Sequence, residues 1–357
     1  MNKQIKLYGA FDDYGDKLVD QYGRSRMFGG SETSNIFSPV ISNMIFAKGF
    51  KPFYPNNKSF AFCLSHDIDL LYLRRPVKDR VLSLFGKSTY KSADNFNYVY
   101  GSLFKEKPYP AFSLKKLDNI NKSWDINSTY YFLSLQEGEQ DYNYNVNTIR
   151  DTVNLLKERK NEIGLHGGHQ AYNNIEKLNQ EKELFESVTG SNCVGYRNHY
   201  LRFDINSTWK ILTKLKFQYD TTFGYPDCVG FKNGMCYPFH PYDFKQQAFL
   251  EIVELPLIVM DATFFFYMRL NDEQIKMIIK DLLKKVKAIG GVFTLLWHNN
   301  NISEKNLKLY NEVLEIITKE DPWISTSIDI VNWWKQQDLL TKQQSILNDI
   351  FAGQQSV

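Results

Sequence analysis

The stretch CLSHDIDLLYLRR, residues 63–75, ends an apolar run that begins at Phe60. Asp67 and Asp69 close this run one residue apart, and like charges at this spacing need a cation, a metal ion or solvent to offset their repulsion. If the run is a β-strand, its side chains alternate between the two faces of a sheet. Asp67 and Asp69 then point to the same face, whereas His66 points to the opposite face and packs against a layer of helices. The stretch therefore predicts a strand that ends in two converging carboxylates.

Seven further apolar runs follow this strand and alternate with helical patterns. The runs cover 128–135, 162–168, 193–200, 217–224, 250–261, 290–300 and 323–329. Apolar residues at helical spacing lie at 147–161, 176–188, 271–290 and 304–319. Strands that alternate with helices in this way form parallel βα units. Seven or eight such units predict an α/β fold, a (β/α) barrel of seven or eight strands, complete or distorted.

The chain divides into three parts by composition and pattern. Residues 1–58 begin with many glycines and polar residues, continue into a helical stretch over 35–50, and are expected to form an N-terminal extension packed on the barrel. Residues 59–340 are the barrel, and 341–357 are expected to be a C-terminal tail. The stretch 75–112 is too long for a simple link between a strand and a helix. We expect it to be a helical or loop excursion near the site.

Bulk properties limit the possible partners and the compartment. The 357 residues carry 43 basic and 40 acidic side chains, a net charge of +3, and this balance argues against a general nucleic-acid-binding protein. The N-terminus lacks the apolar region of a signal peptide, and no window approaches the roughly 20 apolar residues of a membrane span. The cysteines form no CxxC pair; we expect a cytoplasmic protein with reduced thiols at Cys63, Cys193, Cys228 and Cys236. One disulfide between Cys228 and Cys236 is the alternative.

Polar side chains gather where the expected strands end. Active sites of (β/α) barrels lie at the carboxyl ends of the strands. Four of the six histidines fall at such ends. The residues concerned are Asp67, Asp69, His166, His169, Arg197, His199, Asp220, Asp261 and His298.

Each of these positions has a functional and a structural interpretation. His166 and His169, three residues apart, would share one face of a turn or helix and could bind a metal together with Asp69. The alternative is that they make local hydrogen bonds in a glycine-rich turn, but together with Asp69 the pair favours a metal site. Arg197 could hold Asp67 ionised through a bidentate pair, or form an ordinary salt bridge at the barrel rim.

The last long apolar run ends in Trp297 and His298, which point to opposite faces. A histidine at a buried edge with a pKa near neutrality is suited to be a general acid. A single histidine in such a place is more often a hydrogen-bonded core residue. His298 therefore becomes a functional candidate because of the other polar strand ends.

The order of these polar strand ends along the chain resembles that of the polysaccharide deacetylase superfamily, carbohydrate esterase family four and its relatives. SHDID matches the family's first motif, GLHGGH the second, YRNHYLRF the third and LLWHN the last, over roughly residues 58–335. The chain looks most similar to a branch that is found in surface-polysaccharide gene clusters. The resemblance implies a distorted (β/α) barrel.

The resemblance also implies a role for individual residues. Asp67 matches the catalytic base, Arg197 the residue that positions it, and His298 the catalytic acid. Asp69 and His166 match metal ligands, with His169 as a candidate third ligand. The implied cofactor is a divalent metal, with zinc favoured and cobalt, nickel, iron or manganese as alternatives. The metal would polarise the acetyl carbonyl and bind a water that Asp67 deprotonates.

Several positions depart from the family pattern. The family's histidine pair is spaced by four residues, whereas His166 and His169 are spaced by three. His199 stands where the family has proline, and it could itself reach the metal. Two carboxylates, Asp220 and Asp261, are candidates for the one that supports His298. Further substrate-binding or supporting candidates are Trp297 and Tyr200, the latter near a backbone N–H that could hold an oxyanion.

The function implied is removal of an acetyl group, in a metal-dependent reaction, from a sugar of a surface polysaccharide or its precursor. The expected partner is therefore an acetylated sugar, with no nucleic acid and no transmembrane segment. Two alternatives stay open: an inactive deacetylase-like protein that binds glycan or acts as a scaffold, and an amidohydrolase that acts on a small cyclic amide.

Overall fold

A computed structural model describes the chain at residue 24 and over residues 36–70, 109–135, 144–243 and 245–355. The expected N-terminal extension, 1–58, is thus covered at Arg24 and from residue 36 onward. Most of the excursion expected over 75–112 lies outside the described residues. The division of the chain into extension, barrel and tail stays a prediction.

The strands follow the expected runs. They are β1 (Ala61–Ile68), β2 (Thr129–Leu133), β3 (Glu162–Gly167), β4 (Gly195–Asn198), β5 (Tyr219–Asp220), β6 (Tyr242–Asp243), β7 (Ala248–Phe249), β8 (Val253–Glu254), β9 (Val259–Met260), β10 (Val292–Leu296) and β11 (Trp323–Ile324). Eight of them form one row, in the order β8-β5-β4-β3-β2-β1-β10-β9, and every pair in the row is parallel. β11 also pairs in parallel with the start of β1, while β6 and β7 form a separate antiparallel pair. The row curls into a half-barrel, which confirms the distorted (β/α) barrel.

Helices surround this sheet. They are α1 (Val40–Ala47), α2 (Tyr109–Ser123), α3 (Arg150–Glu158), α4 (Ile175–Thr189), α5 (Thr208–Lys214), α6 (Asp272–Ala288), α7 (Glu304–Thr318), α8 (Ser327–Gln336) and α9 (Leu339–Gln355). Short 3-10 turns cover 55–57, 146–149, 171–173, 199–201 and 232–234, and a π-helical turn covers Thr263–Tyr267. The four helical patterns of the sequence correspond to α3, α4, α6 and α7. Helix α9 occupies most of the segment expected to be a C-terminal tail.

Local sequence explains where α6 begins and ends. The Asn271 side chain accepts a hydrogen bond from the backbone N–H of Gln274, and the Gln274 side chain accepts one from the backbone N–H of Asn271. This reciprocal capping box satisfies two N–H groups that have no partner within the helix. Gly290 follows the helix with a φ of 70°, a left-handed conformation that glycine adopts without a steric penalty.

One expected strand, over 250–261, is two strands in the structure. β8 and β9 lie at opposite ends of the row, and Pro256 separates them. On one side of the proline, Leu255 N donates to Asp220 O on β5 at 2.8 Å. On the other side, Ile258 N donates to the Thr294 hydroxyl on β10 at 2.8 Å. Because proline has no N–H to donate, the chain changes partners there, and the single-strand expectation was wrong.

The four cysteines are buried free thiols, so the expected reduced state is confirmed and the alternative disulfide is absent. Burial raises the pKa of each thiol to about 12, which keeps all four protonated and unreactive at neutral pH. In the described part of the chain, no helix combines the length and the apolar character that crossing a bilayer requires.

Candidate active site

The end of β1 separates its side chains as alternation predicts. His66 is fully buried on the helix side, where its ring lies 4.8 Å from that of Tyr130. Its Nδ1 donates to the Trp297 carbonyl at 2.8 Å, and Asn121 Nδ2 donates to its Nε2 at 2.9 Å. Burial lowers the pKa of His66 to about 4, so this ring is neutral at physiological pH. The packing role expected for His66 is confirmed, and Asp67 faces the other way.

Arg197, at the end of β4, holds Asp67 from inside the barrel. Its Nη1 donates to Asp67 Oδ1 and to Ser65 Oγ, both at 2.9 Å. Its Nε donates to the Thr221 carbonyl at 3.1 Å, and its Nη2 to the Thr221 hydroxyl at 3.2 Å. Burial would lower the pKa of Arg197, but the Asp67 charge and nearby groups raise it overall. The guanidinium is therefore a fixed cation beside the first carboxylate.

Asp69, His166 and His199 form a compact group at the carboxyl ends of β1, β3 and β4. One candidate ligand atom from each residue lies within 4.8 Å of the other two. His166 Nε2 is 3.3 Å from Asp69 Oδ1, and His199 Nε2 is 3.6 Å from the same oxygen. Burial would raise the pKa of Asp69, but the charges of the histidines lower it overall. The carboxylate thus stays ionised.

This group fits a divalent metal by its unmet hydrogen bonds and by its chemistry. His166 Nδ1 donates to the Arg197 carbonyl at 2.9 Å, which leaves the lone pair of Nε2 directed at Asp69. His166 Nε2 and Asp69 Oδ1 are both buried and make no hydrogen bond within the described residues. Buried polar atoms without hydrogen bonds are rare and need an explanation. Two imidazoles and one carboxylate are a ligand set of catalytic zinc sites, which keep a position open.

His169 lies next to this group and not within it. Among the described residues, the metal-binding set contains His199 as its third member where the family resemblance implied His169. The His169 ring lies 5.1 Å from the His199 ring and 4.8 Å from the Tyr200 ring. Its backbone carbonyl accepts a hydrogen bond from Arg202 Nη1 at 2.7 Å. In this geometry His199 lies with Asp69 and His166 and is the candidate third ligand, while His169 as a ligand stays a prediction from the resemblance.

His298 approaches the two carboxylates from β10, on the other side of β1. Its Nε2 is 4.0 Å from Asp67 Oδ2 and 3.8 Å from Asp69 Oδ2. Its Nδ1 is 2.5 Å from Asp261 Oδ1, and its backbone N–H donates to Asp261 Oδ2 at 2.9 Å. Asn301 Nδ2 also donates to Asp261 Oδ2, at 2.7 Å. Asp261 thus fixes the ring with Nε2 directed into the site.

The same contacts set the charge of His298. Burial lowers its pKa, but Asp261 and then Asp69 and Asp67 raise it, to about 10 overall. The expectation of a pKa near neutrality does not hold in this structure, since three carboxylates surround one imidazole. The surrounding carboxylates therefore favour the protonated form of His298, which has a proton to donate.

The second candidate partner for His298, Asp220, lies elsewhere. It is fully buried beside Glu254 on the neighbouring strand β8, its register partner. Its Oδ1 accepts from the Thr222 hydroxyl at 2.5 Å and from the Thr222 backbone N–H at 3.0 Å. Of the two candidate carboxylates, Asp261 therefore pairs with His298 in the structure. Asp220 instead pairs with Glu254, away from His298.

Trp297 is fully buried on the helix side of β10. Its ring lies 4.9 Å from that of Tyr310 and 5.7 Å from that of Phe265. Contact with a substrate requires exposed surface, which this side chain does not have. Trp297 therefore supports the site from behind β10, through this packing and through its Nε1, which donates to the Asn301 carbonyl at 3.1 Å.

Three residues that hold the site were not singled out in the sequence. Ser65 and Thr221 bind Arg197, and Asn301 binds Asp261. Ser65 could have been found, because it lies two residues before Asp67 and shares its face of the strand. Thr221 and Asn301 reach the site from irregular segments, where no periodicity indicates direction.

No family model and no curated protein matches the chain. Solved structures do match. A protein assigned as a polysaccharide deacetylase from Mycobacterium smegmatis has a TM-score of 0.53 at 16% identity, over 81% of this chain and 94% of its own. One from Parabacteroides distasonis, assigned as a glycoside hydrolase/deacetylase, has a TM-score of 0.49 at 12% identity, over 78% and 72%. A peptidoglycan deacetylase from Bacillus subtilis has 0.39 at 14% identity, over 80% and 95%.

At sequence identities as low as these, a structural match shows a shared fold and does not show a shared activity. The match to the Mycobacterium smegmatis structure covers nearly all of that protein and most of this chain. It confirms the resemblance inferred from the four motifs at the level of the fold. The chain thus has the fold of the polysaccharide deacetylases.

Proposed function

We propose that the chain is a metal-dependent deacetylase that removes an acetyl group from a sugar of a surface polysaccharide or its precursor. The arrangement of Asp67 carries the proposal. One of its oxygens is bound by Arg197, while the other faces His166 Nε2 at 3.7 Å and His298 Nε2 at 4.0 Å. A base, a candidate metal group and an acid thus share one small space.

The chain's own residues supply base and acid. Arg197 occupies Oδ1 of Asp67, so that Oδ2 is the oxygen free to take a proton from the attacking water. His298 is protonated and directed by Asp261, so its Nε2 gives a proton to the amine or alkoxide that leaves. Acetate and a deacetylated sugar are the products.

Asp69, His166 and His199 would hold the metal. Of the divalent metals, zinc best suits two imidazoles and a carboxylate; cobalt, nickel, iron and manganese accept the same ligands. When bound, such an ion polarises a carbonyl and lowers the pKa of a water. The Tyr200 backbone N–H, next to His199 in the chain, is the candidate donor to the oxyanion.

The experiment is acetate release from N- and O-acetylated sugars, with metal content measured in the same purified samples. Asp67→Asn keeps the size of the side chain but removes the base, so we expect acetate release to fall by about 10³-fold or more. Asp281→Asn is the matched control, since Asp281 lies on the outer helix α6 with a side chain 55% exposed. Its activity should equal that of the unmodified chain.

Other results would refute the proposal in different ways. Acetate release that survives Asp67→Asn would show that Asp67 is not the base. Protein that binds divalent metal but releases acetate from no acetylated sugar would point to a glycan-binding protein. Turnover of a small cyclic amide without turnover of glycans would point to an amidohydrolase.

A further inference from the structure

The turn that follows β4 has an unusual backbone. It carries His199, the third member of the candidate metal group, followed by Tyr200 and Leu201 with φ values of 59° and 52°. Two successive non-glycine residues in the left-handed region are strained, and such conformations persist only where the surroundings hold them. The position of His199 therefore depends on what fixes this turn.

Arg24, from outside the barrel, is bound to this turn. Only 4% of the residue is exposed, although arginine is seldom buried without partners. Its Nη1 donates to the Tyr200 carbonyl at 2.9 Å. Its guanidinium carbon also lies 5.8 Å from the centre of the Tyr200 ring, within cation–π range. The contact thus holds both the backbone and the side chain of a strained residue.

The other end of the same guanidinium holds a second site loop. Arg24 Nη2 donates to the Tyr267 hydroxyl at 2.8 Å, and its guanidinium carbon lies 5.6 Å from the centre of that ring. Tyr267 is the last residue of the π-helical turn Thr263–Tyr267, which begins just after Asp261, the partner of His298. Such π-helical turns often occur at functional sites.

We propose that Arg24 is a positioning residue that clamps the His199–Leu201 turn to the Thr263–Tyr267 turn and so holds His199 in the metal group. The rigid fork of an arginine can bind two acceptors at once, which a lysine ammonium on a flexible stem does less well. Arg24, which lies in the segment expected to be an N-terminal extension, is then part of the site. In its effect on catalysis this inference rests on the proposed function, but its effect on the turn does not.

The first measurement uses hydrogen exchange in the metal-free full-length chain, so that neither metal nor activity is needed. In Arg24→Met we expect amides of residues 199–202 to exchange about tenfold faster, with β1 and β3 unchanged. Arg24→Lys should restore part of the protection. Arg150→Met is the control, because Arg150 is exposed on α3 and its guanidinium makes a long contact with a described residue, 3.5 Å to the Ser187 carbonyl.

The second measurement is zinc affinity, by competition with a chelating dye. We expect Arg24→Met to weaken zinc binding about tenfold, at an unchanged unfolding temperature, and Tyr267→Phe to weaken it less. If acetate release is found, kcat should fall with KM unchanged. If Arg24→Met leaves hydrogen exchange in 199–202 unchanged, or binds zinc as tightly as Arg150→Met does, the proposed positioning role of Arg24 is wrong. Faster exchange and weaker zinc binding without acetate release by the unmodified chain would refute the proposed function alone.

Discussion

At the scale of single residues, Asp261 determines the protonation state of His298. The carboxylate is fully buried and binds both the ring Nδ1 and the backbone N–H of His298. Replacing it by asparagine removes the largest influence that raises the pKa of His298, about 10 in this structure. The pKa of the imidazole must then fall, because burial, which favours the neutral ring, is no longer opposed as strongly.

We therefore expect Asp261→Asn to lower the pKa of His298 by at least one unit in the metal-free protein, as measured by NMR titration of the histidine ring protons. In the active enzyme, the alkaline limb of the pH–rate profile should move to lower pH by the same change. The pKa of the distant His240, which burial lowers, should not change, and it provides the internal control. An unaltered His298 titration would contradict this assignment of Asp261.

The choice between His199 and His169 as metal ligand gives a second test. We expect His199→Ala to weaken zinc binding at least about 100-fold, since it removes a ligand, and His169→Ala to weaken it less than about fivefold. Isothermal titration or dye competition would measure both. Equal losses in the two variants would mean that His169 also binds the ion.

The sequence predicts these residues unequally well. Alternation along one strand was enough to place Asp67 and Asp69 together and His66 apart, because a strand has a fixed period of two residues. The choice of His199 over His169 depends on the left-handed residues Tyr200 and Leu201, whose conformation no pattern of residue types indicates. The sequence motifs indicated the fold, whereas the turns that follow them determine where the candidate metal ligands lie.

At the scale of elements, a glycine on β3 makes room for a tyrosine on β2. Gly164 and Tyr131 are register partners, and a Cβ atom on residue 164 would lie 2.5 Å from the Tyr131 ring. The ring lies under the Arg197 guanidinium, 4.6 Å from its carbon to the ring centre. The pairing of a glycine with a large ring thus shapes the interior below the site.

We expect Gly164→Ala to destabilise the fold by about 1–3 kcal/mol, because the added methyl group forces the ring to shift. Urea unfolding would measure this. Tyr131→Leu removes the obstructing ring, so the double variant should be less destabilised than the sum of the two single variants. Additive losses would show that residue 164 and the ring do not collide.

The order of the elements was more predictable than their pairing. The apolar runs indicated parallel βα units because they alternate with helical patterns along the chain. The run 250–261 is apolar apart from Glu251, Glu254 and the final Asp261, and Pro256 signals the break. Its two halves separate to opposite ends of the sheet because their hydrogen-bond partners, Asp220 and Thr294, lie on different strands. Partner choice of this kind depends on tertiary structure.

At the scale of the whole molecule, stability should depend on pH through a buried carboxyl pair. Asp220 and Glu254 are fully buried on the adjacent strands β5 and β8. Burial raises the pKa of Asp220 to about 6, and burial and then the Asp220 charge raise that of Glu254 well above its usual range. Trp209 Nε1 also donates to Glu254, at 2.8 Å, which fixes the pair in place.

The sign of the effect follows from the direction of these shifts. A carboxyl group whose pKa is higher in the folded chain binds protons more tightly there, so protons stabilise the fold. This contribution is complete below the pKa of the unfolded chain, about 4, and is lost as the pH rises through about 6 and above. We expect the free energy of unfolding to decrease between pH 5 and pH 8 because of this pair.

Glu254→Gln tests this expectation, because glutamine keeps the shape and remains neutral at every pH. Urea unfolding at pH 5, 6, 7 and 8 should show a smaller decrease in the variant than in the unmodified chain. Glu183→Gln, on the exposed side of α4, should leave the decrease unchanged. If Glu254→Gln keeps the full decrease, other groups produce it, and the pair is not a proton-binding part of the fold. The Arg197 charge, which binds Asp67, also lowers the pKa of Asp220. We therefore expect a weak link between the Asp220–Glu254 pair and the candidate active site, and a changed zinc affinity of Glu254→Gln would detect it.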